Sequence, residues 1–202
     1  VAGGFERLIF DMESQPLAPV SQEERNVLAR LIHALKNRRY VELVASGTLP
    51  LRTGVREVFD ECAAAGLRMA IVTTTSRHNV AALLCAHLGP QWRDRFAAVV
   101  CAEDAPVKKP DPQAYRLVLE RLQLRPDQTV AIEDSAMGLA AATVVGIPAV
   151  VTRSIYFSED PVPGALAVGP SLGTRAGWSP GLDGDPGRVG LADIRHWHET
   201  RG

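Results

Sequence analysis

Four groups of residues in this chain have the types and spacing for phosphoryl chemistry. The first lies in 8-LIFDMESQP-16, where an apolar run delivers Asp11 and, two residues later, Glu13. The second is the hydroxyl cluster 73-TTTS-76, the third the lysine of 107-VKKPDP-112, and the fourth the acid pair of 133-EDS-135. A carboxylate attacks phosphorus only when the phosphate's own negative charge is masked. Asp11, Glu133 and Asp134 offer the oxygen ligands that Mg²⁺ takes, and Lys109 offers a cation for the phosphoryl group. Thr73, with Thr74 and Thr75 beside it and backbone N–H groups at a helix start, offers a cradle for the equatorial oxygens. Each residue alone has a plainer reading: Asp11 as a turn cap, the threonines as β-edge residues, Lys108 and Lys109 as solvated loop lysines. Four such groups in order along the chain favour the chemical reading.

Positioning these groups falls to an alternation of apolar strands and amphipathic helices. Strands are expected at Phe5–Phe10, Met69–Val72, Ala97–Cys101, Val130–Ile132 and Pro148–Val151. Ser21 and Glu24 form a capping box for a long helix on which Val27, Leu28, Leu31, Ile32 and Leu35 recur at helical spacing. Further helices fit Thr53–Gly66, Asn79–Leu88, the segment opened by Asp111-Pro112, and Ala136–Gly146. Continuous apolar strands between helices predict an α/β fold, a Rossmann-like parallel sheet of about five strands covered by helices on both faces. Ligands of such sheets bind beyond the carboxyl ends of the strands, where all four groups would meet. Past about Asp160 the periodicity stops, and the Gly- and Pro-rich 169–190 reads as loop or disorder before a short helix over 191–200.

Composition excludes more than it identifies. With 202 residues, 46% apolar, 22% charged and a net charge of −1, the chain suits one ordinary globular core. That charge gives no reason to expect nucleic acid or an anionic membrane as partner, and no apolar run approaches the length of a membrane span. A monomer is expected, with a dimer as the alternative. Cys62, Cys85 and Cys101 are odd in number and read as reduced thiols, which favours a reducing compartment: cytoplasm, or plastid stroma after loss of a targeting peptide. His196 and His198, two apart, do not share a helix face and read as solvated.

The four groups resemble motifs I to IV of the haloacid dehalogenase superfamily. The stretches 43-LVASGTLPLRTGV-55, 71-IVTTTS-76, 108-KKPDP-112 and 132-IEDSAMGLAAATVVGIPAVVT-152 are similar to its CbbY-type sugar phosphatases, relatives of phosphoglycolate phosphatase and β-phosphoglucomutase. The resemblance implies Asp11 as nucleophile, Thr73 and Lys109 as phosphate ligands, Glu133 and Asp134 as Mg²⁺ ligands, and a phosphorylated sugar, notably xylulose-1,5-bisphosphate, as substrate. It departs at D-M-E-S-Q-P, where the family has D-x-D-G-[TV]-L followed by a longer helical cap. Glu13 then stands in the place of the acid/base aspartate, whose backbone carbonyl also coordinates the metal. The expected organisation is a core of 1–13 and 51–168, a reduced helical cap over 14–50 and a tail over 169–202. A Mg²⁺-dependent phosphatase working through an aspartyl-phosphate is expected; the alternative is an impaired phosphate- or metal-binding pseudoenzyme of the same fold.

Overall fold

Four of the expected strands form where the apolar runs place them: β1 (Ala70–Val72), β2 (Ala98–Val100), β3 (Ala131–Glu133) and β4 (Ala149–Thr152). The structure is a computed structural model that describes residues 3–157, 159–184 and 186–201; residues 1, 2 and 202, at the ends of the expected core and tail, lie outside them. A fifth strand, β5 (Ala167–Gly169), was not expected. All pairings are parallel, and the helices between strands are α4 (Arg77–Leu88), α5 (Gln113–Leu122) and α6 (Ala136–Val144). This is the expected α/β architecture with one difference. The strands form two sheets, β1-β2 and β3-β4-β5, with no ladder between them among the described residues.

Phe5–Phe10 is not a strand. It lies inside helix α1 (Gly4–Glu13). Phe5, Leu8, Ile9 and Met12 fall at i, i+3, i+4 and i+7, and these are the buried or half-buried positions, whereas Glu6, Arg7, Phe10, Asp11 and Glu13 face solvent. The apolar run is one stripe of an amphipathic helix, short enough to imitate a strand. α1 packs on α2 (Gln22–Ala45), which begins at Ser21 as the capping residues require: the Glu24 N–H donates to Ser21 Oγ at 3.2 Å. The helical unit therefore includes residues 4–13, which the sequence assigned to the core. Its apolar face is only partly covered, for Val27, Leu31 and Leu35 are each more than half exposed.

Beneath the two sheets runs a shared apolar layer. Ala98 and Val100 of β2, Ala131 of β3, and Ala149 and Val151 of β4 pack with Tyr115, Val118 and Leu122 of α5 and with Leu139, Ala141 and Ala142 of α6. On the far face of the second sheet lies the segment expected to be loop or disorder; it is loop, and packed. Leu172, Trp178 and Val189 are buried there with Val58 of α3 (Val55–Ala64) and with Ile194 and Trp197 of α7 (Leu191–Glu199). Trp178 stacks on Trp197 with ring centroids 4.7 Å apart. Its indole N–H donates to the Thr174 carbonyl at 2.8 Å. A Cβ on Gly169 would stand 2.2 Å from the Trp178 ring, so only glycine admits it against β5. A few large apolar residues, spaced among glycines and prolines, order this segment by burial without secondary structure.

Trp178→Ala should therefore cost about 3–5 kcal/mol of stability in denaturant titration. A change below about 0.5 kcal/mol, the range of an ordinary surface substitution, would show that the tail is not part of the core.

Candidate active site

The carboxyl ends of β1 and β3 meet at Lys109, which reaches both Val72 and Glu133, and the residues that follow them make the rim. Thr73 continues β1 by donating its N–H to the Val100 carbonyl at 3.0 Å, and its Oγ1 accepts the Thr75 N–H at 3.2 Å, folding the hydroxyl cluster into a tight turn. Ser76 then caps α4, accepting the Asn79 N–H. The amino end of α4 is already engaged, since the Arg77 N–H donates to both carboxylate oxygens of Glu103 at 3.0 Å. A phosphate seat on this rim thus rests on Thr73, Thr74 and Lys109 more than on the helix terminus.

Lys109 joins the two sheets. Its Nζ donates to the Val72 carbonyl of β1 at 3.0 Å and to Glu133 Oε1 at the end of β3 at 2.5 Å. Both side chains are about nine-tenths buried. Tyr115 of α5 donates its hydroxyl to the same Glu133 oxygen, and Lys109 Nζ stands 4.8 Å from the Tyr115 ring centroid. Burial, then the Glu133 charge, holds the Tyr115 hydroxyl protonated well above its ordinary range. The other Glu133 oxygen lies against the first turn of α6, where a Cβ on Gly138 would come within 1.9 Å of it. Gly138 is thus required by the carboxylate. Asp134 follows, exposed at the rim.

The structure brings together Thr73, Thr74, Lys109, Glu133 and Asp134 and leaves out Asp11 and Glu13. Gly4, at the start of α1, lines a cleft of about 340 Å³ with Thr74, Thr75, Ser76 and Lys108. Asp11 is seven residues further along that helix, about 10 Å along its axis, and is exposed. Among the described residues no hydrogen bond or ion pair joins Asp11 or Glu13 to the rim. Both stand on the solvent face of helix α1, where the end of a strand was expected. Two arginines near the cleft are engaged elsewhere: Arg39 pairs with Glu42 and Arg77 with Asp104. Sequence reasoning missed His33, Lys36 and Asn37, which line the cleft opposite the rim. Their i, i+3, i+4 spacing on one helix face was a signal that could have found them. Nothing in the sequence marked Tyr115.

Mg²⁺, which the resemblance implies, is not accommodated by these residues alone. No group of three or more His, Cys, Asp or Glu side chains among the described residues could hold a metal. Glu133 Oε1 is taken by Lys109 and Tyr115, so Asp134 is the one rim acid left fully available.

With this geometry in view, comparison with known proteins settles the lineage. The profile of the haloacid dehalogenase-like hydrolases matches residues 5–146. The chain belongs to this family. Protein CbbY (plasmid) of Cupriavidus necator is 44% identical over 204 residues, covering 98% of this chain and 79% of that protein. Crystal structures of CbbY from Rhodobacter sphaeroides, 34% identical, superpose with TM-scores of 0.72 for a complex with phosphate and 0.74 for a variant in complex with xylulose-(1,5)bisphosphate. They cover 82% and 84% of this chain and 71% and 73% of those chains. The chain spans 55–58% of the length of three further curated relatives, from Rhodobacter capsulatus, Arabidopsis thaliana and Cereibacter sphaeroides. No helix among the described residues is long and apolar enough to cross a membrane.

This member of the hydrolase family stabilises its rim through two acids. Asp104, in the loop after β2, accepts the Cys101 N–H at 2.9 Å, Arg121 at 2.9 Å and Arg77 at 2.8 Å, and its carboxyl is lowered from 3.8 to about 2, first by the Cys101 N–H. A depressed carboxyl stabilises the fold above its unfolded value and loses that contribution as pH falls through the folded one. Stability should decline between pH 3.8 and about 2, and Asp104→Asn should flatten that part of the profile in denaturant titrations. An unchanged slope would contradict the assignment. Lys109→Met, which strands a buried carboxylate, should cost about 3 kcal/mol at neutral pH. A neutral effect would mean that Glu133 is not held by Lys109.

Proposed function

We propose that this chain forms the phosphate-binding body of a phosphatase acting on phosphorylated sugars, with a sugar bisphosphate such as xylulose-1,5-bisphosphate as the substrate class. The observation that carries this is the buried Lys109, fixed between the Val72 carbonyl and Glu133 beside the Thr73–Thr75 hydroxyls. A cation whose position is set by two acceptors from different strands is preorganised for an anion. The transferring phosphoryl group sits on Thr73, Thr74 and Lys109. A second anionic group finds His33 and Lys36 across the cleft, with Lys108 beside the rim. The cleft that carries His33, Lys36 and Lys108 adjoins the hydroxyl cluster at Thr74 and Thr75, and a CbbY structure 34% identical to this chain holds a ligand charged at both ends.

The chain's own residues bind and orient in this reading. Thr73 and Thr74 donate hydroxyl hydrogens to phosphoryl oxygens, and Lys109 neutralises charge that would repel an incoming carboxylate. Asp11 stands on an exposed helix face, and this favours one other reading: binding of phosphate without turnover.

Calorimetric titration of inorganic phosphate and of xylulose-1,5-bisphosphate into the chain tests the proposal. Saturable binding of both is expected, the bisphosphate tighter. Thr73→Val should weaken both ligands by about tenfold, the loss of one hydrogen bond to a charged group. Lys36→Ala should weaken the bisphosphate only. No binding of either ligand by the native chain would overturn the proposal.

A further inference from the structure

Helix α2 is covered on one side and bare on the other. α1 and α4 pack against it, and Ala29 is fully buried. On the opposite side Val27, Leu31 and Leu35 are 53%, 59% and 59% exposed. Glu24, Ala34 and Arg38 are exposed on that same side. Glu24, Val27, Leu31, Ala34 and Arg38 recur in alternating steps of three and four. That spacing keeps one helix in contact with another at a crossing of about 20°. Leu35 stands beside Ala34 and widens the row. An apolar row bounded by charge at each end has the make-up of a helix–helix seam that lacks its second helix.

The row is complementary to itself when reversed. Val27 and Leu35 stand four residues before and after Leu31, and Glu24 and Arg38 stand seven before and after it. A second α2 laid antiparallel about a two-fold axis at Leu31 therefore sets Leu31 against Leu31. It sets Val27 against Leu35 and Glu24 against Arg38, each pair made twice, as an isologous interface requires. A parallel pairing would instead oppose Glu24 to Glu24 and Arg38 to Arg38. Both charges are free to pair across the seam. Arg38 makes no hydrogen bond or ion pair among the described residues. Glu24 spends only one carboxylate oxygen, which accepts the Ser21 hydroxyl at 2.8 Å.

We propose that the chain associates through this face into a two-fold symmetric dimer, the partner being a second copy of itself. The pairing removes the apolar row of both copies from water, which is its driving force. The two ion pairs at each end set direction and register. His33 lies across the helix from Leu31 and Lys36 well round it, so the cleft they line stays open in the dimer. Arg30 of the two copies flanks the seam on one side, where solvent screens the like charges. The seam runs from Glu24 to Arg38, about 21 Å along the helix. One helix pair of that length stands at the small end of specific interfaces. Reversible association with a Kd on the order of micromolar is therefore expected.

Sedimentation velocity over a concentration series of the 202-residue chain tests this, with circular dichroism to show that each variant is folded. A monomer–dimer equilibrium is expected. Leu31→Asp places two like charges at the axis and should weaken it at least about a hundredfold. Leu31 is exposed, so the folded monomer should survive this change. Glu24→Arg and Arg38→Glu should each weaken the dimer about tenfold, since each turns two attractive pairs repulsive. The double variant Glu24→Arg with Arg38→Glu should restore it, because the pairs are then reversed and not lost. A chain that stays monomeric up to about a millimolar would overturn the proposal. So would a dimer that Leu31→Asp leaves intact, which must use another face. Failure of the double variant to recover would overturn the antiparallel register. A monomeric chain that binds zwitterionic lipid vesicles through Leu31 would make a lipid surface the occupant of this face, and would equally overturn it.

Discussion

A parallel strand has two edges, and main-chain groups on each must find partners or water. This constraint organises the molecule. β1 and β3 satisfy one edge each, against β2 and β4, and have no strand on the other among the described residues. The helices beneath divide between the sheets: α5 packs on β1 and β2, and α6 on β3 and β4. Lys109 is the side chain that spans the interval, and in doing so it fixes the position of the rim's central cation.

The rim is an electrostatic assembly more than a set of separate ligands. Lys109, Glu133 and Tyr115 form a buried triad in which each member satisfies another, so none is free to move toward a ligand without cost. The neighbouring loop is fixed by Asp104, which gathers the Cys101 N–H, Arg77 and Arg121 from the end of β2, the start of α4 and α5. That arrangement explains why Arg77 does not reach into the cleft. The cleft's opposite wall comes from α2, where His33 and Lys36 stand a turn apart. Substrate selection by charge would thus depend on the spacing between a helix and a sheet rim.

How far this was legible in the sequence varied with the kind of signal. Four strands and the helices that cover them followed from apolar runs and helical spacing, because parallel strands buried on both faces leave an unbroken apolar run and Ser21 caps the helix it precedes. The rim group of Thr73, Lys109, Glu133 and Asp134 followed from strand ends. Phe5–Met12 misled because Leu8, Ile9 and Phe10 are adjacent in sequence while only two of them lie on the buried stripe, and Asp11 gained its significance from the strand that was inferred. The tail misled for the opposite reason. Its glycines and prolines dominate composition, whereas order comes from Leu172, Trp178 and Val189 meeting Trp197 across the fold. A partner far away in sequence leaves no local trace. The same holds for Tyr115 and Glu133.

Residue-resolved amide hydrogen exchange on the 202-residue chain tests the two free edges most directly. Slow exchange is expected at Ile71, Ala131 and Glu133, whose N–H groups face paired strands, with exchange at least about a hundredfold faster at Val72 and Ile132, whose N–H groups face away from them. Such alternation within one strand is the mark of a single free edge. Uniform protection through β1 and β3 would show that both edges are already covered, and would contradict the account of two sheets joined through Lys109.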